Sequence, residues 1–211
     1  MRSRLGVLVV LLGVLGASGC AGGGGAGPAL LRDGRPRLAI FGDSISAISK
    51  PQLRARLSPG HRLTIAAVHG IDTKAMAPRL EAASDDPPDI VVIELGTNDA
   101  VCGGRCSDTP IGPHFDAAAV NARFDHFAAR FPPTTCTIFV NVNTHATRWG
   151  PANTQQIDAH LSTFPRVVDW DSAWQPEWFN DPADPHPNVE GRKALAGMIA
   201  DMVATCPANH N

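Results

Sequence analysis

Five short runs of apolar, largely β-branched residues recur along the chain and alternate with longer stretches that carry apolar residues at helical spacing. The runs are Leu38–Phe41, Leu63–Val68, Ile90–Leu95, Thr137–Asn141 and Val167–Trp170. Helices are expected between and after them, near Ser46–Leu57, Thr73–Ala83, Ala117–Phe131, Thr154–Phe164 and Gly191–Thr205. In the last of these, Ala194, Leu195, Met198, Ile199 and Met202 fall on one face. Alternation of this kind is the mark of repeated βα units around a mainly parallel sheet. Nearly continuous apolar runs are what strands covered on both faces require. The expectation is an α/β domain with five mainly parallel strands. A chain of 211 residues, 44% of them hydrophobic, holds one such domain with a substantial core, and not two.

The N-terminus stands outside that pattern. Arg2 and Arg4 precede an apolar run from Leu5 to Leu15, followed by Gly16-Ala17-Ser18-Gly19, which reads as a secretory signal peptide over residues 1–19. The run is short for a bilayer span. Cys20 follows Ala17-Ser18-Gly19 and resembles the lipidated cysteine of bacterial lipoproteins, with ordinary cleavage nearby as the alternative. Residues 20–36, rich in Gly and Ala, read as a flexible tether, and the folded domain as residues 37–211. The expected location is the cell envelope or the extracellular space, with membrane contact only through an N-terminal lipid. Cleavage before Cys20 leaves 16 basic and 20 acidic residues, so the mature chain is mildly acidic and carries no basic patch for nucleic acid.

Setting Cys20 aside leaves Cys102, Cys106, Cys136 and Cys206, an even number that suits an oxidising compartment. One arrangement pairs Cys102 with Cys106 and Cys136 with Cys206; the other connectivities stay open. No histidine lies at ligand spacing from these cysteines, so neither a zinc site nor any other metal or cofactor is expected.

In an open α/β sheet the ligand crevice lies beyond the carboxyl ends of the strands. The segments that follow the first three runs are Gly42-Asp43-Ser44, His69-Gly70-Ile71-Asp72 and Gly96-Thr97-Asn98-Asp99, and they should meet on one edge. Gly-Asp-Ser alone also suits an ordinary strand-to-helix turn. A serine there nonetheless sits where backbone N–H groups and the helix dipole favour negative charge. The backbone N–H groups of Ser44 and Gly70 and the side-chain amide of Asn98, read as lying in a loop, would form an oxyanion hole. Asp43 and Asp99 read as turn-fixing residues. A serine nucleophile needs a base, and His186 is the candidate, in the loop Asp181-Pro182-Ala183-Asp184-Pro185-His186-Pro187-Asn188 ahead of the final helix.

The blocks Phe-Gly-Asp-Ser-Ile, Val-His-Gly-Ile-Asp-Thr, Glu-Leu-Gly-Thr-Asn-Asp and His-Pro-Asn-Val-Glu-Gly, in that order, resemble those of the SGNH hydrolase superfamily, the GDSL-type esterases. They run from Leu38 to Gly191 and place the four motif residues at Ser44, Gly70, Asn98 and His186. The resemblance implies a flavodoxin-like three-layer α/β/α sandwich, no metal, and acyl transfer from an ester to water or another acceptor. It also implies an aspartate three residues before the histidine, where this chain has Ala183. Asp184 and Asp181 flank that position. Both Asp184 and His186 precede proline. In a strand, Asp184 would face the same way as His186, whereas in polyproline geometry the two would diverge. Asp184 is favoured as the carboxylate; Asp181 and a backbone carbonyl are the alternatives.

The substrate is less constrained. A short domain offers little material for an acyl tunnel or a lid, and Trp149, Trp170, Trp174 and Trp178 gather before His186, where an exposed indole would stack on a sugar. An acetyl ester of a carbohydrate leads, ahead of a lysophospholipid or general carboxylic ester, an acyltransferase reaction, and a non-catalytic envelope-binding lipoprotein. No protein partner is implied.

Overall fold

The computed structural model describes residues 34–102, 115–147 and 150–207. The expected signal peptide, most of the tether, Cys20, Cys106, Trp149 and the side chain of Cys102 lie outside the described residues. Five parallel strands form: β1 Arg37–Gly42, β2 Arg62–Ala67, β3 Ile90–Glu94, β4 Cys136–Val140 and β5 Val167–Val168. Their order is β2-β1-β3-β4-β5, so the chain steps outward from β1 in one direction and then crosses back to continue in the other. Helices are α1 Ser44–Ile48, α2 Lys50–Leu57, α3 Thr73–Asp85, α4 Thr97–Cys102, α5 Ala117–Arg130, α6 Pro151–Leu161 and α7 Val189–Val203.

Two apolar layers sandwich the sheet, as side-chain alternation dictates. Leu38, Ile40, Val92, Ile138 and Val140 meet Leu53 and Leu57 of α2 and Leu195 and Ile199 of α7. On the other face Phe41, Val91, Ile93 and Phe139 meet Met76 and Leu80 of α3, Phe124 and Phe127 of α5, and Ile157 and Leu161 of α6. The central strands β1 and β3 are buried almost throughout, whereas β2, at the edge, leaves Arg62 and Thr64 exposed.

Three local differences from the sequence expectation have physical causes. Helix α6 starts at Pro151, after Gly150 in a left-handed conformation at φ 67°, three residues earlier than periodicity suggests; proline is well suited to a first helical turn. Strand β5 stops at Val168, because Trp170 turns off the sheet to donate its backbone N–H to Asn141 Oδ1 at 2.6 Å. Thr97–Cys102 is a helix and not a loop, with Ala100 N–H bonded to Gly96 O at 3.0 Å. Cys136 and Cys206 are joined in a disulfide, with Cα atoms 5.8 Å apart, which ties the start of β4 to the chain beyond α7.

Candidate active site

The crossover of strand order falls between β1 and β3, the point at which an open α/β sheet offers a ligand crevice at the carboxyl ends of its strands. Asp43 bridges β1 and α1: its N–H bonds to Glu94 O at 3.2 Å, and its Oδ1 accepts the Ile45 N–H at 2.9 Å. Gly42 is required by how tightly the helix folds back on the strand. A Cβ there would overlap Ser46 and come within 3.0 Å of Glu94 Oε2.

The opening turn of a helix leaves its N–H groups without internal acceptors. Here Ile45 N–H goes to Asp43 Oδ1, Ser46 N–H to Glu94 Oε2 at 3.0 Å, and Ala47 N–H to Asp43 O at 2.9 Å. The Ser44 N–H has no acceptor among the described residues, and Ser44 itself is 7% exposed. A donor at a helix start, unspent and open to the crevice, is suited to an anion.

Gly70 sits in a turn beyond β2 at φ 71°, a conformation that disfavours a side chain, and a Cβ built on it meets no atom within 4 Å. Its N–H likewise has no acceptor among the described residues. Asn98, the second residue of α4, is 3% exposed, and its Nδ2 donates to Asp43 Oδ2 at 3.1 Å and Ile71 O at 3.0 Å. Those two bonds link the amide to the serine turn on one side and the Gly70 turn on the other. Asp99 accepts the Thr73 N–H and hydroxyl at 3.0 and 2.5 Å and pairs with Arg123 at 3.3 Å, so it fastens α4 to α3 and α5. Burial raises its carboxyl above the ordinary range.

His186 arrives from the far end of the chain. Its Nε2 lies 2.8 Å from Ser44 Oγ, within reach for passing the hydroxyl proton. Its Nδ1 lies 2.6 Å from Asp184 Oδ1, and the same oxygen accepts the His186 backbone N–H at 2.9 Å. The loop is therefore neither strand nor polyproline helix at this point. Asp184 turns back on its own chain, reaching the residue two ahead in the manner of an Asx turn. Asp181 Oδ1 accepts the Ala183 N–H at 3.0 Å, and its carbonyl accepts the Asp184 N–H at 2.9 Å. The loop is held by the Phe179–Pro187 bridge and by Asn188, whose N–H bonds to Trp178 O at 2.7 Å while its Oδ1 caps α7 through Glu190 and Gly191.

Ser44, Asn98, Asp184 and His186 are thus joined through shared partners, with Gly70 on the turn that Asn98 grips. Trp170, at 2% exposure, stacks on Trp178 in the core. Trp174 is half-buried and stacks on His145, with ring centroids 4.5 Å apart. Among the described residues no three His, Cys, Asp or Glu side chains converge to hold a metal ion. Sequence reasoning passed over Glu94, a buried acid on the strand beneath the serine turn. The available signal was an unaccompanied acid within Ile90-Val91-Val92-Ile93-Glu94-Leu95.

No curated protein is similar enough in sequence to be matched with the chain. Several solved structures share its fold. A lipase/acylhydrolase from Enterococcus faecalis aligns with TM-score 0.64 and 15% identity over 79% of this chain and 95% of its own. The catalytic domain of peptidoglycan O-acetyltransferase A from Streptococcus pneumoniae aligns at 0.59 and 19%, covering 82% and 92%. An acetylxylan esterase from Geobacillus stearothermophilus aligns at 0.59 and 18%, covering 80% and 94%. Residues 40–194, which hold every residue of the site just described, match one sequence family, and the chain belongs to it: the GDSL-like lipase/acylhydrolase family.

Proposed function

We propose that the chain is an exported serine esterase that removes short acyl groups, acetyl foremost, from a carbohydrate through an acyl-Ser44 intermediate. The observation that carries this reading is the relay Ser44 Oγ, His186 Nε2, His186 Nδ1, Asp184 Oδ1, with its two links at 2.8 and 2.6 Å.

In this mechanism Ser44 Oγ attacks the ester carbonyl as His186 Nε2 takes its proton. Asp184 holds the ring by Nδ1–H and balances the imidazolium. The carbonyl oxygen, now an oxyanion, is met by the Ser44 and Gly70 N–H groups and by Asn98 Nδ2, which shares its hydrogens with Asp43 and Ile71 O. Collapse expels the alcohol, which takes the proton from His186, and water then repeats the sequence on the acyl-serine. The departure at Ala183, which favours a non-catalytic binding protein, loses its force where Asp184 occupies the ring Nδ1.

Export is supported by Arg2, Arg4 and the apolar run Leu5–Leu15, and by the Cys136–Cys206 disulfide. An anchor at Cys20 would hold the protein at the envelope. The acetylated-carbohydrate reading draws support from structural neighbours named for acetylxylan and peptidoglycan O-acetyl groups. Reaction with a fluorophosphonate probe tests the nucleophile: labelling is expected in the native protein, lost in Ser44→Ala and weakened in His186→Ala. A folded protein that fails to label refutes the esterase. Acetate release from acetylated glycans should exceed cleavage of long-chain esters, and equal or greater long-chain activity refutes the substrate class. The O-acetyltransferase neighbour supports a second reading, transfer to a sugar hydroxyl, which product analysis with added acceptor separates from hydrolysis.

A further inference from the structure

Beneath the serine turn two carboxyls share one dry pocket. Asp43 is 0% and Glu94 4% exposed, and their carboxyls hold the consecutive N–H groups of Ile45 and Ser46, at 2.9 and 3.0 Å, which sets them side by side. Neither forms an ion pair with Lys, Arg or His among the described residues; Arg123, the cation that reaches this region from α5, is spent on Asp99. Asp99 on α4 is the remaining acid facing the pair, and it adds repulsion. Two buried carboxylates in contact, with no cation between them, cannot both stay ionised. One retains a proton, and the contact becomes a hydrogen bond.

Both carboxyls are well supplied with donors, so the retained proton belongs to the pair. The Asp43 carboxyl receives an N–H on each oxygen, from Ile45 at 2.9 Å and Asn98 at 3.1 Å. Glu94 Oε2 receives the Ser46 N–H at 3.0 Å, and the Ser46 hydroxyl and the Asp43 N–H also bear on this carboxyl. We propose that Glu94 is a positioning residue that shares a single proton with Asp43, and that the carboxyl–carboxylate hydrogen bond so formed locks the Ser44 turn and the Asn98 amide into one register. Glu94 also grips the turn twice from β3, through Ser46 N–H and through Asp43 N–H on its carbonyl. Asp43 passes that constraint on to Asn98. Burial, reinforced by the charge of Asp43, pushes the Glu94 carboxyl well above its ordinary range, and burial raises Asp43 to about 7. Loss of the shared proton would set two charges against each other beneath the nucleophile and spread the register.

The shared proton is tested without any substrate, while its effect on rate rests on the esterase reading. Infrared difference spectra of the native protein and Glu94→Gln, in mildly alkaline buffer, should show a protonated carboxylic-acid carbonyl band in the native protein alone. Its absence from the native protein, or its persistence in the variant, overturns the proposal. In ester hydrolysis, Glu94→Gln keeps both the donor and the acceptor and should stay within a few-fold of the native kcat, losing the fall in rate that the native protein shows on the alkaline side. Glu94→Ala should lower kcat on the order of 10²-fold with little change in KM, the cost of a small misplacement. Superimposable pH profiles for the native protein and Glu94→Gln overturn the proposal, even if Glu94→Ala fails to fold. If the infrared band is present and no ester is cleaved, the esterase reading fails while the proton assignment stands.

Discussion

The carboxylate behind His186 gives the sharpest test of the relay, because the loop offers two aspartates and the structure engages them differently. Asp184 Oδ1 accepts both the ring Nδ1–H, at 2.6 Å, and the backbone N–H of the same residue, at 2.9 Å. A charge-assisted hydrogen bond contributes about 1.5–3 kcal/mol. The Asp184 and His186 side chains are 34% and 33% exposed, so solvent screening puts this pair in the lower half of that range. At about 1.4 kcal/mol per tenfold, loss of the charge alone should lower kcat roughly tenfold. Asp184→Asn is the variant that isolates this term. The backbone N–H of His186 still demands an oxygen, which turns the amide so that its oxygen stays on the ring. Asp184→Ala removes orientation as well, and should cost on the order of 10²-fold, below the ~10⁴ of a fully buried triad aspartate. Asp181→Ala removes a bond to the Ala183 N–H and leaves the Asp184–His186 link in place, so kcat should stay within a few-fold. Steady-state hydrolysis of p-nitrophenyl acetate by the three variants measures all of this. A loss in Asp181→Ala equal to that in Asp184→Ala, or native kcat in Asp184→Ala, would refute the reasoning.

Other consequences are as direct. Asn98→Ala should lower kcat by ~10²–10³ through loss of an oxyanion donor, with binding of a substrate's sugar portion unchanged in KM. Gly70→Ala, which forces a side chain to φ 71°, should cost about 1–2 kcal/mol in denaturant unfolding and reduce kcat; full activity and stability would count against the turn geometry. Replacing Cys136 and Cys206 together by alanine reopens a loop spanning 70 residues, which loop entropy values at roughly 4 kcal/mol, to be read as a lower denaturation midpoint matched by reduction of the native protein. The folded state holds the Glu94 proton more tightly than the unfolded chain, whose value is the ordinary 4.5, so its penalty on stability grows as pH rises above that value. Glu94→Gln should therefore gain stability over the native protein at up to about 1.4 kcal/mol per pH unit, a trend that melting curves from acid to neutral pH would reveal. A difference independent of pH would contradict it.

Much of this architecture was legible because its signals are local. Apolar runs such as Ile90–Leu95 declare strands, and the segments that follow them, at Ser44, Gly70 and Asn98, fall to one edge by the topology of parallel sheets. What escaped were features set by contacts distant in sequence. Thr97-Asn98-Asp99 looks like a turn, yet it winds into a helix because Asp99 is fastened to Thr73 and Arg123, and Asn98 to Asp43 and Ile71. The choice between Asp184 and Asp181 depends on a side chain turning back to its own backbone, which neither strand nor polyproline periodicity describes. Glu94 ranks in sequence as one more residue of a buried strand, and its significance emerges only from the carboxyl that faces it.

The hydrogen bond between Ser44 and His186 joins positions 142 apart, and that span governs the order in which the protein acquires reactivity. Synthesis delivers the serine, Gly70 and Asn98 within the first half of the chain, on segments that follow strands pairing with one another, while the histidine waits for β4, β5 and the loop before α7. A nascent or C-terminally clipped chain can therefore carry the serine turn with no base to draw the proton. In the proposed mechanism, hydrolytic power is a property of the finished chain, switched on when α7 docks and the Asn188 cap brings His186 home.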